Sequence, residues 1–485
     1  MSTSTTNGHA AANGHTQTNG HHTQGADSST TSQLLCQLPR SQKADVDKAV
    51  AAAKAAYPAW SQTSFEQRAA YLDAIADQLQ LHFDRLAEME SVDAGKPYAA
   101  ARVIDIPRAV KNFRFFAGAI RHDTTDSHWM QDALNVTQRC PIGVAALITP
   151  WNLPVYLLSW KVAPALAMGN TVVCKPSELT PMTADALARI IHDVGLPPGV
   201  FNLVHGLGPE VGQSLVEHED VNIVSFTGGT ATGRRVALSA APSFKKVSLE
   251  LGGKNSTIVF ADCDYEKTVK AAVRASFTNA GQVCLCGSRV LVEQSIYERF
   301  VKDYVAEVEK YVVGDPATAQ IGSLTSQQHR EKIEYYVDLA RKEGGTIRCG
   351  GRRPELPPPF DAGAFYLPTV ITDLPPTARC SVEEIFGPVV TVHPFSSEEE
   401  ALSIANGTKY GLAGSLFTSD VSRVQRVTRR WETGMIWVNT WLHRDLRVPF
   451  GGVKESGLGS EGGRHSLEFW SNAKNICFFM GEGRV

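Results

Sequence analysis

No lysine or arginine precedes Arg40 in this 485-residue chain, and no apolar run is long enough to span a bilayer. The first absence argues against an Arg-rich amphipathic presequence. The lack of an apolar stretch near Met1 argues against a secretory signal, so the expected location is cytoplasmic, with no membrane partner. Neither sign of charge is in excess: 47 Lys and Arg stand against 50 Asp and Glu, a formal net charge of −3. That balance argues against nucleic acid or another polyanion as the main partner. The nine cysteines are irregularly spaced in a long chain, which fits reduced thiols rather than a disulfide framework. Cys284-x-Cys286 has no His or second Cys pair near it, so no metal is expected. There is no short internal repeat and no G-x-G-x-x-G fingerprint; Gly206-x-Gly208 is too short to stand for one.

What is present begins with a polar tail. Residues 1–38 are predicted to be disordered, because Ser, Thr, Asn, Gly, His and Gln dominate the run to about Gln33. His9, His15, His21 and His22 within it read as solvated low complexity rather than a metal site. Helical stripes follow over Ala44–Ala59 and Phe65–Leu86, and Asp105-Ile-Pro107 opens another helix with proline in its first turn.

Short apolar runs then recur at helix-length intervals: Ile142–Ile148, Thr171–Cys174, Val200–Val204 and Val221–Phe226. A second set comprises Ile258–Phe260, Val290–Val292, Val389–Val392, Ser415–Phe417 and Met435–Val438. Alternating strands and helices predict an α/β protein with mostly parallel sheets, and the length suits two or three domains. Asn135–Arg139 and Asn475–Phe479 alternate or run apolar outside this pattern, and a terminal apolar strand needs a partner.

The stretch Asn279-Ala-Gly-Gln-Val-Cys-Leu-Cys-Gly-Ser-Arg289 is a glycine-punctuated turn leading into an apolar strand, and it presents Cys284 as a candidate nucleophile. Glu250, beside Gly252 and Gly253, is a candidate base. Asn152, in Thr149-Pro150-Trp151-Asn152-Leu-Pro154, is a candidate oxyanion donor, with the Cys284 backbone N–H as the second. Together they suit acyl chemistry on an aldehyde or ester. Blander readings exist for each: a buried structural thiol, a solvated or ion-paired carboxylate, an asparagine capping a helix.

In this order, Pro150-Trp-Asn152, Lys175-Pro-Ser-Glu178, Phe226-Thr-Gly228, Glu250-Leu-Gly-Gly253, Gly281-Gln-Val-Cys284 and Glu384-Ile-Phe-Gly-Pro388 resemble the aldehyde dehydrogenase superfamily, from about Ala44 to the C-terminus. The resemblance implies a Rossmann-type NAD-binding domain (39–121 and 141–249), an α/β catalytic domain (250–441) and a β oligomerisation arm (122–140 and 466–485). It implies oxidation of an aldehyde to an acid through a cysteine thiohemiacetal and thioester, in a homo-oligomer, dimer or tetramer.

Cofactor contacts are implied at Thr149, Pro150, Trp151, Lys175, Ser177, Glu178, Gly208, Phe226, Thr227, Gly228, Gly229, Leu251, Gly252, Glu384 and Phe386. Glu178 favours NAD over NADP, since a carboxylate suits ribose hydroxyls and repels a 2′-phosphate. Gly229 stands where many relatives carry Ser, and Ser460 where many carry Arg. Glu461 matches a second acidic position linked to proton relay.

Ile104-Asp-Ile-Pro-Arg-Ala-Val110, Phe260-Ala-Asp-Cys-Asp264 and Asn439-Thr-Trp-Leu-His-Arg-Asp-Leu446 resemble the branch acting on 2-aminomuconic and 2-hydroxymuconic semialdehydes. In that branch, arginines at the positions of Arg108 and Arg444 bind the carboxylate end of the substrate, as guanidinium forks can. The alternatives are a general aliphatic or aromatic aldehyde dehydrogenase, or a non-catalytic, ligand-binding family member.

Overall fold

The computed structural model describes residues 23–481. The tail predicted over 1–38 therefore lies outside the described residues as far as position 22, histidines included. Its remainder is a correction: Thr23–Asp27 pairs antiparallel with Leu34–Pro39. Backbone bonding supplies what composition lacks. Ser29 O accepts from Ala364 N at 2.8 Å, Ser29 and Ser323 hydroxyls meet at 2.9 Å, and Ser32 Oγ donates to Ala362 O at 2.8 Å. Ser28, Ser29 and Thr30 are buried although polar.

The stripe read as one helix over Phe65–Leu86 is two helices, Phe65–Leu81 and Phe83–Ala94. His82, at ψ 20°, leaves helical geometry; its N–H still donates to Gln78 O while its carbonyl accepts from Leu86 N. The helix Ile106–Arg121 is preceded by a π-helical turn, Ala101–Asp105.

A six-stranded sheet runs Gly457–Leu458, Lys246–Glu250, Val221–Thr227, Val144–Ile148, Thr171–Lys175, Phe201–Leu203. All neighbours are parallel except the Gly457–Leu458 edge. Val144–Ile148 and Thr171–Lys175 are buried along their whole length, as strands covered by helices on both faces must be. The chain leaves Val144–Ile148 in one direction, to Phe201–Leu203, then returns to Val221–Thr227 on the other side. Ligands of open α/β sheets bind at the carboxyl ends of strands beside such a reversal.

The second sheet has seven strands: Thr346–Cys349, Thr369–Thr372, Val389–Phe395, Arg289–Glu293, Ser256–Val259, Ala413–Phe417 and Met435–Val438. Thr346–Cys349 and Thr369–Thr372 carry too little apolar run to be read from sequence. They add the outer edge, and only Thr346–Cys349 is antiparallel. Each sheet has its own apolar core. Each Val, Leu, Ile or Phe buried there contributes about 1.5–3 kcal/mol.

The two stretches set apart above meet within one chain. Ser471–Phe479 pairs along its whole length with Ala133–Pro141, which also pairs with Ser127–Trp129. Trp129, Met130, Phe478 and Phe479 stay exposed on this sheet and its turn. No helix among the described residues is long and apolar enough to cross a membrane.

Candidate active site

Most of the implied cofactor residues stand at the carboxyl edge of the six-stranded sheet. Thr149, Pro150 and Trp151 follow Val144–Ile148, and Thr149 N donates to Lys175 O at 3.1 Å. Ser177 and Glu178 follow Thr171–Lys175. Lys175 Nζ donates to Glu178 Oε2 at 3.1 Å and to Pro176 O at 2.8 Å; burial lowers its pKa, and Glu178 pulls it back up. Ser177 Oγ accepts from Leu179 N at 3.2 Å. Gly208 follows Phe201–Leu203 and opens a short π-helical turn.

Phe226 and Thr227 end the strand Val221–Thr227, Gly228 N donates to Glu250 O at 3.1 Å, and Gly229 caps the helix Thr230–Ala240. Space is open where a side chain at Gly229 would stand, so its departure from Ser leaves this surface unobstructed.

Glu384 and Phe386 lie just before Val389–Phe395, a strand of the seven-stranded sheet. Glu384 Oε1 accepts from Gly253 N at 2.8 Å, and burial raises the Glu384 pKa. Phe386 sits at φ 63°, a conformation rare for a residue with a side chain. His329 Nε2 bonded to its carbonyl at 2.7 Å and the edge of Trp151 at 5.4 Å hold it there.

The turn before Cys284 is conformationally strained. Asn279 and Ala280 have φ of 54° and 53°, and Gly281 has φ 71°. Only glycine fits at 281, because a β-carbon would collide with the backbone of Gly387. The nucleophile turn and the Glu384–Pro388 segment thus pack backbone to backbone. Asn255 pins the turn from the opposite side. Its Nδ2 donates to Cys284 O at 2.7 Å and to Cys286 O at 2.9 Å, and its Oδ1 accepts from Ala413 N at 3.0 Å.

Cys284 itself is partly buried. Burial pushes its thiol well up, the Glu250 and Glu384 carboxylates push it further, and Arg444 opposes them. Cys286 is buried in an apolar cluster, its Sγ 3.7 Å from Thr278 O, and burial raises its pKa to about 12.

Asn152 is buried, and its Nδ2 donates to Gln282 O at 2.8 Å, two residues before the sulfur. An amide NH2 has two hydrogens, so this bond orients it and leaves one free to donate. Asn152 is adjacent to Leu153, the residue before the helix Pro154–Ala167, rather than its cap.

Glu250 is buried at the end of its strand, and its Oε1 has no hydrogen-bond partner. Burial raises its pKa strongly, Glu461 adds to the rise, and Lys161 and Arg444 oppose it. Beneath it, Lys161 Nζ bonds Glu461 Oε1 at 2.9 Å and Ser225 Oγ at 2.7 Å. Leu251 N donates to Ser456 O at 2.9 Å, joining this strand to the C-terminal segment.

Arg108 and Arg444 converge on Tyr156 and Trp160. Arg108 lies over both rings, 4.9 Å and 5.2 Å from their centroids, and its Nε donates to Asn112 Oδ1 at 2.8 Å. Arg444 lies over Phe450 at 4.0 Å, and its Nη1 donates to the Tyr156 hydroxyl at 3.3 Å. Burial lowers the Arg108 pKa to about 10, and Arg444 adds like-charge repulsion. Each arginine has a buried Nη2 without a hydrogen-bond partner. Neither nearby carboxylate reaches Arg444: Asp445 pairs with Arg447, and Glu455 with Arg234 and Lys409.

Sequence reasoning gave no role to Asn255, Asn279, Lys96 or Lys161. Asn279 opens the stretch that holds Cys284, so its place there was the available signal.

Comparison with known proteins agrees with this geometry. The model of the Aldehyde dehydrogenase family matches residues 16–476. The chain is 48% identical to a 2-aminomuconic semialdehyde dehydrogenase of Bos taurus, covering 92% of this chain and 93% of that protein. It is 46% identical to a 2-hydroxymuconic semialdehyde dehydrogenase of Pseudomonas sp. (strain CF600), with the same coverage. The fold superposes on betaine aldehyde dehydrogenase of Staphylococcus aureus, solved with NAD+, at a TM-score of 0.92 and 37% identity, over 96% of this chain and 92% of that one. With the match running through nearly the whole sequence and the relatives covered almost end to end, the chain belongs to the aldehyde dehydrogenase family.

Proposed function

We propose that the protein oxidises an aldehyde carrying a remote carboxylate, a muconic-type semialdehyde such as 2-aminomuconate or 2-hydroxymuconate 6-semialdehyde, to the corresponding acid with NAD. The pair Arg108 and Arg444 carries this reading. Both guanidiniums are half-buried, share Tyr156, and make no hydrogen bond to a carboxylate among the described residues. Buried cations left in that state favour an anionic ligand. The names of the relatives above point to the same substrates.

Cys284 attacks the carbonyl carbon, and its thiol proton must leave first, since the resting thiol is held protonated by its surroundings. The free Asn152 N–H and the Cys284 backbone N–H stabilise the resulting oxyanion; one such donor is worth about 3–4 kcal/mol. NAD, when bound, supplies the hydride acceptor. Lys175, Glu178, the Gly228–Gly229 helix start, Gly252, Glu384 and Phe386 would hold it, and the open space at Gly229 supports that fit. Glu250 takes the proton of the water that attacks the thioester; its unpartnered Oε1 is the accepting atom.

The exposed Trp129, Met130, Phe478 and Phe479 support an arm that joins copies into a dimer or tetramer. Light scattering before and after Phe478→Ser/Phe479→Ser tests the arm, with a drop in mass expected. A panel of aldehydes with and without a distal carboxylate tests the substrate class. Equal turnover across the panel would favour a general aldehyde dehydrogenase, and none with any aldehyde an inert ligand binder.

A further inference from the structure

Behind Asn152 lies a buried charge cluster with no role in the scheme above. The helix Phe83–Ala94 ends at Gly95, whose left-handed backbone (φ 65°) turns the chain inward and buries Lys96. Lys96 Nζ donates to Asn152 O at 3.2 Å and to Asp105 Oδ1 at 3.1 Å, and lies 3.7 Å from Glu90 Oε1. An ammonium has three hydrogens, and these three oxygens surround it. The other Glu90 oxygen accepts from Thr183 Oγ1 at 2.6 Å. The Asn152 carbonyl also accepts from Asn279 Nδ2 at 3.1 Å, in the nucleophile turn. Asp105 ends the π-helical turn that leads into the helix bearing Arg108.

Fold stability alone does not call for such a cluster. Buried ion pairs replaced by well-packed apolar groups often leave stability unchanged or raise it. What an apolar side chain lacks is a donor for the Asn152 carbonyl. Burial raises both Glu90 and Asp105, with Lys96 pulling each back down, so the ammonium is the group that lets two neighbouring carboxyls share this space.

We propose that Lys96 is a positioning residue for the oxyanion amide: anchored by Asp105 and Glu90, it fixes the Asn152 peptide so that the free side-chain N–H meets the charge developing on the substrate carbonyl. This rests on the assignment of Asn152 made above.

The test is a double-mutant cycle in the full-length protein. Lys96→Met is made alone and as Lys96→Met/Glu90→Gln/Asp105→Asn, which leaves no buried carboxylate unpaired should the single variant fail to fold. Each is measured with and without Asn152→Ala. The readouts are kcat for aldehyde oxidation, hydrolysis of 4-nitrophenyl acetate, which also passes through an oxyanion, and alkylation of Cys284 by iodoacetamide, which does not. With Asn152 intact, removing Lys96 is expected to lower kcat and ester hydrolysis about 10- to 100-fold, the scale of a misplaced catalytic group, with alkylation unchanged. On the Asn152→Ala background the further loss should be under about twofold, as for two residues acting as one unit. A loss repeated in full on that background, a parallel fall in alkylation, or no loss would overturn the proposal. If Asn152→Ala itself costs nothing, the oxyanion assignment falls first and takes the proposal with it.

Discussion

The Glu384 carboxylate occupies the space that a side chain on Gly252 would need, and its Oε1 is bonded to Gly253 N at 2.8 Å. The two residues come from segments far apart in sequence, and both stand among the residues proposed to hold NAD. Gly252→Ala must push Glu384 away, an overpacking cost of about 1–3 kcal/mol. NAD affinity should weaken about 5- to 150-fold, read by fluorescence titration, with aldehyde KM changing less. Unaltered affinity would remove Glu384 from the cofactor site.

The neighbouring cysteines should separate cleanly. Cys284→Ser is expected to lower aldehyde oxidation by at least about 10³-fold, the scale of losing a nucleophile. Cys286 faces Thr278 O inside an apolar cluster. Cys286→Ser should leave kcat within a few-fold and lower the thermal midpoint. Rate assays with a melting curve on each variant decide it, and equal activity losses would reject the assignment.

Glu250 links activity and stability to pH in opposite senses. Its folded pKa lies well above the ordinary carboxyl value because of burial first and Glu461 second. Its base form therefore appears only as pH rises, and thioester hydrolysis should climb with pH across a range higher than that of an ordinary carboxyl. Glu250→Gln should abolish that rise and leave a burst of NADH followed by slow turnover. For stability, the native state holds a proton that the unfolded state has lost once pH exceeds the unfolded value, so stability falls as pH rises through that window. Glu250→Gln should therefore be more stable than the parent at about pH 8, with the difference vanishing near the unfolded carboxyl pKa of about 4.3. A gain that is the same at both pH values would contradict the shift.

Removing either guanidinium should tell carboxylated from neutral aldehydes. A hydrogen bond to a charged group is worth about 1.5–3 kcal/mol, so Arg108→Ala or Arg444→Ala should cost about 10- to 150-fold in kcat/KM on a semialdehyde acid. On an uncharged aldehyde the change should be within a few-fold. Asn112→Ala, which frees Arg108 Nε, should give a smaller loss of the same kind.

Local order made the catalytic parts readable. Val144–Ile148 and Arg289–Glu293 are apolar runs that announce themselves, and Cys284, Glu250 and Asn152 sit in short motifs with glycine or proline beside them. What holds those parts was not readable. Lys96 reaches Asn152 across 56 positions and Asn279 reaches it across 127, and a single polar residue carries no period that would reveal either contact. The strand Thr23–Asp27 was missed for a related reason: its order comes from backbone partners such as Leu34–Pro39, which composition does not encode. The break at His82 was hidden because apolar spacing continues through it.

The sheet of Ala133–Pro141 and Ser471–Phe479 places Asn135 beside Asn475, 340 positions later. At about 5–20 residues per second, ribosomal synthesis separates the two by roughly 17 to 70 s. Through that interval Ala133–Pro141 has only the short Ser127–Trp129 to lie against, with its other edge bare. A nascent chain is thus exposed to mispairing with its neighbours on the polysome until its own closing strand emerges.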